Sequence, residues 1–364
     1  MKYLLLCNKL TDGGAERVCV CWANGLVQRG HDVYIYTNLN DEISYRPDND
    51  VILIQNRGEF SDNFFVRRWY YYNDLRKLLI KEKIDVIISV SHFYTFSTWL
   101  VTRIWGKSTK ILMTEHNAFD RPAFRALTKR EYIEKFILNR LWDHVTVLTQ
   151  ADKDYIGGRL KRVTVLPNPL FLEPVKSVPT NKQKIILGVG RLDVWKTKGF
   201  DILINAWNDI GIRYQDWTLR IVGSGTKKTI EYLKSLIKPG MNVEFLPYTK
   251  NIQNEYRNAE VFVLSSRNEG FGLVLIEAMS QGCACVASDY KGRQAEIVTH
   301  GYNGEIVNYD DVEAMSHSIE HILKDTELRE KYQNNAIASL ERYKIDNVIN
   351  RLEDLCNSMR GKSS

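Results

Sequence analysis

Several common sequence signals are missing from this chain of 364 residues. Its six cysteines form no Cys-x-x-Cys pair and no cluster, so we expect buried, reduced thiols rather than a zinc site or a disulfide framework. No apolar run approaches the roughly 20 residues that cross a bilayer as a helix. The apolar run at the start is too short for a signal peptide, because Asn8 and Lys9 follow it directly. These absences predict a cytoplasmic protein.

Further absences narrow the choice of ligand. The pattern Gly-x-Gly-x-x-Gly, which is typical of dinucleotide sites, does not occur. No cluster of histidine and carboxylate residues has the spacing of metal ligands, so we predict no metal and no cofactor. The chain also has no repeat of solenoid period and no recognisable nucleic-acid module, so nucleic acid is not expected as a partner.

Strand-like runs alternate with helical stretches along the whole chain, which predicts an α/β fold with two parallel sheets covered by helices. The strands predicted in the first half are Lys2–Cys7, Asp32–Tyr36, Val51–Gln55, Asp85–Val90, Lys110–Glu115, His144–Leu148 and Arg162–Leu166. Those in the second half are Lys184–Val189, Thr218–Val222, Asn242–Leu246, Val261–Ser265 and Cys283–Ala287. The densest proline region, from Pro167 to Pro179, predicts a linker between domains 1–170 and 171–343. The final segment, 344–364, contains a last helical run over about Ile345–Met359.

The excess positive charge lies in the first half of the chain. Residues 1–170 hold 25 Lys and Arg against 19 Asp and Glu, whereas residues 171–364 hold 25 of each. The stretch from Phe64 to Lys83 combines aromatic and basic residues, and its helical pattern places Tyr71, Leu75, Leu78 and Leu79 on one face. Such a helix suits a membrane interface or a lipid-diphosphate acceptor, and equally a core-facing helix with a solvated basic side.

Six cations are candidates for binding an acceptor or an anionic membrane surface. They are Arg67, Arg68, Lys77, Lys81, Arg121 and Arg125. The last two lie in a basic segment, Asp120–Arg140, for which we predict helical structure with a charged face.

Glu269 and Glu277 are the most informative pair of residues. Glu269 follows the apolar strand Val261–Ser265 on a turn that contains Gly270 and Gly272, and a helical pattern begins at about Leu273. The free amides of that first helical turn point at whatever occupies the turn, which predicts an anion site. Eight helical residues rise roughly 12 Å, so the two carboxylates suit the two ends of an elongated, hydroxyl-rich ligand. A nucleotide-sugar has that shape, although an isolated pair at this spacing would be an ordinary loop and helix pair.

Three other motifs also follow predicted strands. Arg191 and Lys198 come after Lys184–Val189 and suit a diphosphate clamp, although either alone would be a solvated turn cation. Gly13 and Gly14 follow the first strand and would let the backbone approach an anion. His116 ends a mid-domain strand, which places it at the sheet edge where ligands bind in α/β folds, although a lone histidine is more often structural.

Together these motifs resemble those of the retaining nucleotide-sugar glycosyltransferases of family 4, which have the GT-B fold. In order they are Gly13-Gly14-Ala15-Glu16-Arg17, Glu115-His116-Asn117, Gly190-Arg191-Leu192 with Lys198-Gly199, Val222-Gly223-Ser224-Gly225, and the segment from Glu269 to Glu277. The resemblance covers essentially the whole chain. It implies two Rossmann-like domains facing across a cleft, an acceptor-binding first domain, a nucleotide-sugar-binding second domain, and a last helix that returns to the first.

One departure from the family pattern concerns the clamp lysine. The family usually places it about five residues after the arginine and directly before a glycine. Here Lys196 has that spacing and Lys198 has the glycine. We prefer Lys198, because Gly199-Phe200-Asp201 restarts the following helix.

The resemblance also implies roles for the residues of these motifs. The Arg191 and Lys198 side chains and the amides around Gly270–Leu273 would stabilise the leaving diphosphate, Glu277 would bind the ribose, and Glu269 and His116 would lie at the donor sugar. The remaining donor-binding positions are Gly14, Gly190, Gly223, Phe271 and Gly272. Family chemistry retains the anomeric configuration through front-face attack, so we assign no nucleophile and expect no metal requirement.

The predicted reaction moves a hexose or N-acetylhexosamine from a nucleoside-diphosphate sugar, UDP favoured over GDP, to a glycan or polyprenyl-diphosphate-linked acceptor. This reaction belongs to surface polysaccharide synthesis, such as that of capsule or lipopolysaccharide, at the cytoplasmic face of the inner membrane. Two alternatives are a related epimerase or phosphorylase and a non-catalytic nucleotide-sugar binder. The transferase is favoured because Arg191, Lys198, Glu269 and Glu277 are all present.

Overall fold

The computed structural model describes residues 1–11, 13–38, 43–56, 63–90, 92 and 94–361. The chain folds as two compact units. The first unit comprises Met1–Arg121, Ala126–Pro169 and Tyr343–Ser364, and the second comprises Pro122–Arg125 and Leu170–Arg342. The main change of unit therefore falls after Pro169, inside the proline-rich stretch, and the end of the predicted last segment, 362–364, lies outside the described residues.

The first unit contains one sheet of seven parallel strands in the order β3-β2-β1-β4-β5-β6-β7. The strands are β1 Lys2–Leu6, β2 Asp32–Thr37, β3 Ile52–Gln55, β4 Val86–Ser89, β5 Lys110–Thr114, β6 His144–Val147 and β7 Val163–Val165. The helices of the intervening segments are α1 Gly14–Gln28, α2 Phe64–Lys81, α3 Thr95–Trp105, α4 Lys129–Tyr132 and α5 Gln150–Ile156. Central strands of such a sheet are covered on both faces, which explains their nearly continuous apolar sequences.

The core of the first unit joins its sheet to α2. Leu4 and Ile87 of the sheet are buried in the same cluster as Tyr71, Leu75 and Leu79 of α2. The apolar face predicted for this helix is confirmed, and the side of α2 away from the cluster faces solvent.

The second unit contains a sheet of six parallel strands in the order β10-β9-β8-β11-β12-β13. The strands are β8 Gln183–Val189, β9 Thr218–Val222, β10 Val243–Leu246, β11 Ala259–Leu264, β12 Ala284–Asp289 and β13 Glu305–Asn308. The helices are α6 Trp195–Lys198, α7 Phe200–Ile210, α8 Lys227–Ser235, α9 Ile252–Asn258, α10 Leu273–Ser280, α11 Val312–Lys324 and α12 Thr326–Ala338. Every predicted strand is present, but β13 was missed because only Ile306 and Val307 in it are apolar.

The last helix, α13 Ile345–Met359, packs in the first unit against α1. Arg29 pairs with Asp346 at 2.7 Å and with Glu353 at 3.2 Å. Packing is so close that a Cβ on Gly25 would lie 1.9 Å from Cδ1 of Ile349. The end of the chain therefore completes the first unit.

One prediction of secondary structure is wrong. The segment Asp120–Arg140 is not a single basic helix but a series of short pieces of different pitch. They are a 3-10 turn at Ala123–Arg125, α4, a π-helical turn at Ile133–Ile137 and a 3-10 turn at Leu138–Leu141. Lys135, inside the π-helical turn, is buried rather than solvated. No described helix is long and apolar enough to cross a membrane.

Candidate active site

The strand order of the second unit reverses between β8 and β11, and such a switch point forms a ligand-binding crevice at the carboxyl ends of the strands. The loop after β8 carries Arg191 and leads through α6 to Lys198, and the loop after β11 carries Glu269. The structure joins these loops, because Nζ of Lys198 donates to Oε2 of Glu269 at 2.7 Å. The hydroxyl of Ser266 donates to the same oxygen at 3.2 Å. Both charged side chains remain about one-fifth exposed, at 23% and 20%.

Lys198 is held at this place by the glycine that follows it. Gly199 has a positive φ of 67°, and a Cβ there would lie 1.8 Å from the carbonyl oxygen of Ser265. The hydroxyl of Ser265 in turn donates to the carbonyl of Lys198 at 3.0 Å. Lys196, the other candidate lysine, is exposed, and its Nζ lies 5.9 Å from the ring centroid of Phe124. Of the two lysines, Lys198 is the one beside Glu269.

Arg267, on the loop after β11, holds that loop against the segment that contains α6 and α7. This residue was not predicted from the sequence. Its guanidinium makes a forked pair with Asp201 of α7 at 2.7 and 2.8 Å, and its Nε donates to Asp310 at 2.7 Å. It also donates to the carbonyl of Lys196 at 2.9 Å. The hydrogen bonds that Arg267 donates to these carboxylates, above all to Asp201, raise its pKa. Its partners are distant in sequence, so no local pattern reveals them.

The turn that carries Arg191 is fixed to the turn after β9. Asp193 accepts hydrogen bonds from the backbone amide of Thr226 at 2.8 Å and from the hydroxyl of Thr229 at 3.2 Å. A Cβ on Gly223 would lie 1.8 Å from the carbonyl oxygen of Gly190, so the two strand ends touch through their backbones. The Arg191 side chain is exposed on this fixed turn.

The helix α10 begins at Leu273, as predicted, directly after Gly272. Glu277 is only 5% exposed and accepts a hydrogen bond from the hydroxyl of Tyr256 at 3.3 Å. It is therefore not an ordinary surface residue of a helix. Phe271 is buried before the helix, while Gly270 is partly exposed beside Glu269.

Asn268, next to Glu269, was also missed. Its side-chain oxygen is buried and makes no hydrogen bond within the described part of the chain. Buried polar atoms are nearly always paired in folded proteins, so this oxygen can accept a hydrogen bond that the described residues do not supply.

In the first unit, His116 lies at the end of β5 and makes contacts with both ring nitrogens. Nε2 lies 3.1 Å from the hydroxyl of Thr114, which itself donates to the carbonyl of Ser89 at 3.0 Å. Nδ1 lies 3.1 Å from the side-chain oxygen of Asn168, which accepts from Nδ1 in the tautomer that carries the proton there. Burial lowers the pKa of His116 to about 4, so the ring is neutral at pH 7.

The residue before His116 anchors a buried charged cluster that sequence reasoning missed. The carboxylate of Glu115 accepts from Lys135 at 2.8 Å and from Asn139 at 2.7 Å, and lies 2.6 Å from Nε2 of His92. Burial alone raises the pKa of Glu115, but Lys135 and His92 outweigh it and the net shift is downward. Lys135 also donates to the carbonyl of Asn117 at 3.1 Å. This cluster therefore holds the backbone on both sides of His116.

The glycine-containing turn after β1 leads directly into α1, and a side chain of that helix lies against it. α1 begins at Gly14, and a Cβ on Gly13 would lie 1.9 Å from a carboxylate oxygen of Glu16. An acidic side chain in the first turn favours the helix dipole. The carboxylate of Glu16 therefore lies against the backbone of Gly13.

The cations predicted for the acceptor or the membrane differ in their surroundings. Lys77 and Lys81 of α2 are exposed, while Arg67 and Arg68 are half-buried. Arg125 is exposed and belongs to the second unit. Arg121 does not present a free charge, because its side chain is 6% exposed, pairs with Glu131 at 2.8 Å and donates to the carbonyl of Ala118. Among the described residues, no group of three or more His, Cys, Asp or Glu could hold a metal ion.

Two Rossmann-like units, each built on a parallel sheet, are the architecture of the GT-B fold. Two family models match adjoining parts of the chain. The model described as Glycosyltransferase Family 4 matches residues 12–173, and that described as Glycosyl transferases group 1 matches residues 172–339. The chain belongs to glycosyltransferase family 4.

Relatives of known name are similar over almost the whole chain. The GalNAc-alpha-(1->4)-GalNAc-alpha-(1->3)-diNAcBac-PP-undecaprenol alpha-1,4-N-acetyl-D-galactosaminyltransferase of Campylobacter jejuni is 28% identical over 96% of this chain and 96% of its own length. The amylovoran biosynthesis glycosyltransferase AmsD of Erwinia amylovora is 26% identical over 98% of this chain and 99% of its own. The structure of Anabaena Alr3699/HepE in complex with UDP and glucose superposes with a TM-score of 0.78 at 19% identity, covering 98% of this chain and 100% of that one.

Proposed function

We propose that this glycosyltransferase moves a hexose or N-acetylhexosamine from a nucleoside-diphosphate sugar, with retention of anomeric configuration, to a glycan or lipid-linked acceptor. The observation that carries the proposal is the pair Lys198 and Glu269 at the switch point of the second unit. A nucleoside-diphosphate sugar matches this pair, because its phosphates suit the ammonium and its sugar hydroxyls suit the carboxylate.

The other residues of this site have complementary roles in the proposal. Arg191, exposed on its fixed turn, joins Lys198 in binding the diphosphate, and the amides from Gly270 to Leu273 add donors at the start of α10. Glu277, which is buried and acidic, binds the ribose hydroxyls. The close backbone contact of Gly190 with Gly223 fixes the two strand ends beside which the nucleotide binds in this proposal.

The proposed chemistry breaks the bond between the anomeric carbon and the β-phosphate oxygen, and the electron pair leaves with the phosphate. The acceptor oxygen bonds to the same face of the sugar, and its proton passes to the departing phosphate. Arg191 and Lys198 stabilise the charge that develops on that phosphate. No step uses a protein nucleophile or a metal ion. We further propose that His116 and Gly14 of the first unit take part in binding the donor, as the resemblance implies.

The acceptor is inferred from the names of the relatives. The Campylobacter protein is named for an undecaprenyl-diphosphate-linked saccharide, and the Erwinia protein for amylovoran biosynthesis. We propose an acceptor of the same class, a growing saccharide on a polyprenyl diphosphate, used for a surface polysaccharide such as capsule or lipopolysaccharide. The reaction then takes place in the cytoplasm at the inner face of the membrane, and the donor carries uridine rather than guanosine.

A donor panel tests this proposal. UDP- and GDP-linked hexoses and N-acetylhexosamines are first screened by thermal shift, and the stabilising donor is then offered with a short-chain polyprenyl-diphosphate saccharide. We expect one UDP-sugar to stabilise the protein and to be transferred, with the anomeric configuration of the product, read by NMR, equal to that of the donor. A chelator should leave the rate largely unchanged. An inverted product or a lost rate after chelation contradicts the mechanism.

Two lysines provide a matched pair of variants. Lys198→Ala should lower transfer on the order of 10²-fold or more, as expected when a cation that stabilises transition-state charge is removed. Lys196→Ala removes a neighbouring exposed lysine and should remain close to wild type. An inactive Lys196→Ala with an active Lys198→Ala would show that we have assigned the clamp to the wrong lysine.

The alternative functions give different outcomes in the same assay. A non-catalytic binder would be stabilised by the donor but would neither transfer the sugar nor hydrolyse the donor slowly when acceptor is absent. An epimerase would convert the donor to its epimer without any acceptor. A phosphorylase would need inorganic phosphate.

A further inference from the structure

Three asparagines form a row across neighbouring strand ends of the first sheet. Asn8 follows β1, Asn38 follows β2 and Asn56 follows β3. Because β1 pairs in register with β2 and β2 with β3, the three asparagines lie side by side. The backbone amide of Asn38 also donates to the carbonyl of Asn8 at 3.0 Å, so the pairing of the strands extends to this row.

The side-chain amides of the row are hydrogen-bonded in one direction. Nδ2 of Asn56 donates to Oδ1 of Asn38 at 2.7 Å, and Nδ2 of Asn38 donates to Oδ1 of Asn8 at 2.7 Å. Asn56 and Asn38 are buried, whereas Asn8 is exposed. Hydrogen bonds in such a chain polarise one another, so the row ends in a strengthened donor, the Nδ2 group of Asn8. That group makes no hydrogen bond to a described residue.

Stability alone does not explain this row. Burying an amide costs free energy that its hydrogen bonds only offset, and an apolar side chain would fill the same space without that cost. The two buried asparagines instead fix the orientation of an exposed one. Asn38 and Asn56 are therefore positioning residues, and Asn8 is the group that they present to a ligand.

The exposed end of the row lies on the same sheet edge as His116. One strand, β4, separates β1 from β5, and neighbouring strands are roughly 4.8 Å apart, so Asn8 lies about 10 Å from the end of β5. The register through β4 places Asn8 level with Glu115, the residue before His116. In the proposed function the donor sugar lies at His116. An acceptor sugar that reacts there would have its neighbouring sugar near Asn8.

We propose that Asn8 binds an oxygen of the acceptor saccharide, on the sugar next to the one whose hydroxyl reacts. A polarised amide donor suits a sugar hydroxyl or the carbonyl oxygen of an N-acetyl group. This inference rests on the proposed function and deepens it, because it assigns the recognition of the acceptor to one side chain of the first unit.

The test uses a short-chain polyprenyl diphosphate that carries a disaccharide of N-acetylhexosamine, together with analogues that each lack one hydroxyl or N-acetyl group of the inner sugar. Asn8→Ala should raise the KM for the complete acceptor roughly threefold to tenfold, which corresponds to one neutral hydrogen bond, and leave the KM for the donor unchanged. One analogue should show the same loss with wild type. With Asn8→Ala, that analogue should be no worse than the complete acceptor, because the hydrogen bond is already absent.

Two further variants complete the comparison. Asn8→Asp keeps an oxygen for Asn38 but loses the donor, so it should raise the same KM as Asn8→Ala. Asn334→Ala removes an exposed asparagine of the second unit and should behave like wild type. Circular dichroism checks that the variants fold. An unchanged KM in Asn8→Ala overturns the inference. So do losses that add up for every analogue, because a merely structural role of Asn8 would give that result.

An NMR titration of the complete acceptor without donor separates the two proposals. Binding that weakens in Asn8→Ala, in a protein that transfers no sugar, overturns only the proposed function. Transfer that Asn8→Ala leaves unchanged overturns only the assignment of Asn8. Absence of both binding and transfer in wild type overturns both.

Discussion

Lys198 and Glu269 neutralise each other at 2.7 Å, so the availability of each to a ligand depends on the other. In the proposed reaction, an approaching diphosphate competes with Glu269 for the ammonium, and a sugar hydroxyl competes with Lys198 for the carboxylate. A complete donor offers both replacements at once, whereas a free nucleoside diphosphate offers only one. We therefore expect this residue pair to favour the intact donor over its product.

A single substitution tests this competition. Glu269→Gln keeps the shape of the side chain but removes its charge. We expect transfer to fall on the order of 10²-fold, while affinity for the free nucleoside diphosphate stays equal or rises, because Lys198 loses its competitor. Isothermal titration with the donor and with the free diphosphate measures both affinities. Glu277→Gln is the comparison and should weaken both ligands alike; equal losses of both ligands in both variants would contradict this division.

The neutral ring of His116 makes stability depend on pH. Its pKa is about 4 in the folded protein and 6.5 in an unfolded chain. The unfolded state therefore binds the proton more readily, so this contribution to stability is complete above pH 6.5 and is lost as pH falls towards 4. The loss amounts to about 3 kcal/mol over that interval.

Urea unfolding from pH 7 to pH 4 measures this dependence. The free energy of unfolding of wild type should fall more steeply with pH than that of His116→Gln, which has no titrating group at this position. Far-UV circular dichroism at each pH confirms that both proteins start folded. If the free energies of unfolding of the two proteins fell equally with pH, the pKa of His116 would not be lowered in the folded protein.

At the scale of the elements, Arg267 links the loop after β11 to α7. Arg267→Ala leaves Asp201 without its forked partner and should lower the free energy of unfolding by about 2–4 kcal/mol, as a broken, mostly buried ion pair does. Arg267→Lys keeps the charge but not the fork, and its loss should be intermediate. The control is Arg213→Ala. Arg213 is about half exposed and its partner Glu320 stays paired with Lys324, so the loss should be no more than about 1 kcal/mol. Urea denaturation compares all three.

The sequence predicts an element well when the signal lies within the element itself. It predicts an element poorly when that element depends on contacts with distant residues. Strands such as β8 and β11 are evident, because burial on both faces leaves a continuous apolar run. Motifs that come directly after such strands predict the start of α10 at Leu273. They also place Lys198 and Glu269 in the same site. β13 was missed because four residues with two apolar side chains resemble a loop.

Other parts of the site depend on contacts between distant residues and could not be read locally. The forked partner of Arg267 is 66 residues away in sequence. Lys135 belongs to a stretch of basic composition that predicts a solvated helix, yet a π-helical turn places it against Glu115 in the core. The side-chain pairing of Arg121 with Glu131 escapes prediction for the same reason, since charge alone does not show whether a cation is already bound.

At the scale of the whole molecule, the first unit is built from both ends of the sequence, with α13 packed on α1. Deletion of residues 345–361 removes the side chains of Val348, Ile349, Leu352 and Cys356, which are all fully buried. We expect the first unit to unfold or to be cut rapidly in limited proteolysis, while the second unit resists and remains stabilised by donor. Asp346→Ala, which loses only an exposed partner of Arg29, should behave like wild type. A first unit that stays protease-resistant after the deletion would contradict this dependence.

The packing of α13 on α1 also determines when the first unit can finish folding during translation. A ribosome makes the first sheet before the second unit and α13 after it, so the first unit stays unfinished throughout translation of the second. During that time the apolar side of α1 that α13 covers is open to chaperones. A message broken near its end yields a chain whose first unit is incomplete, which proteases can recognise and remove. We therefore expect the first unit to reach its full stability only after α13 has been made.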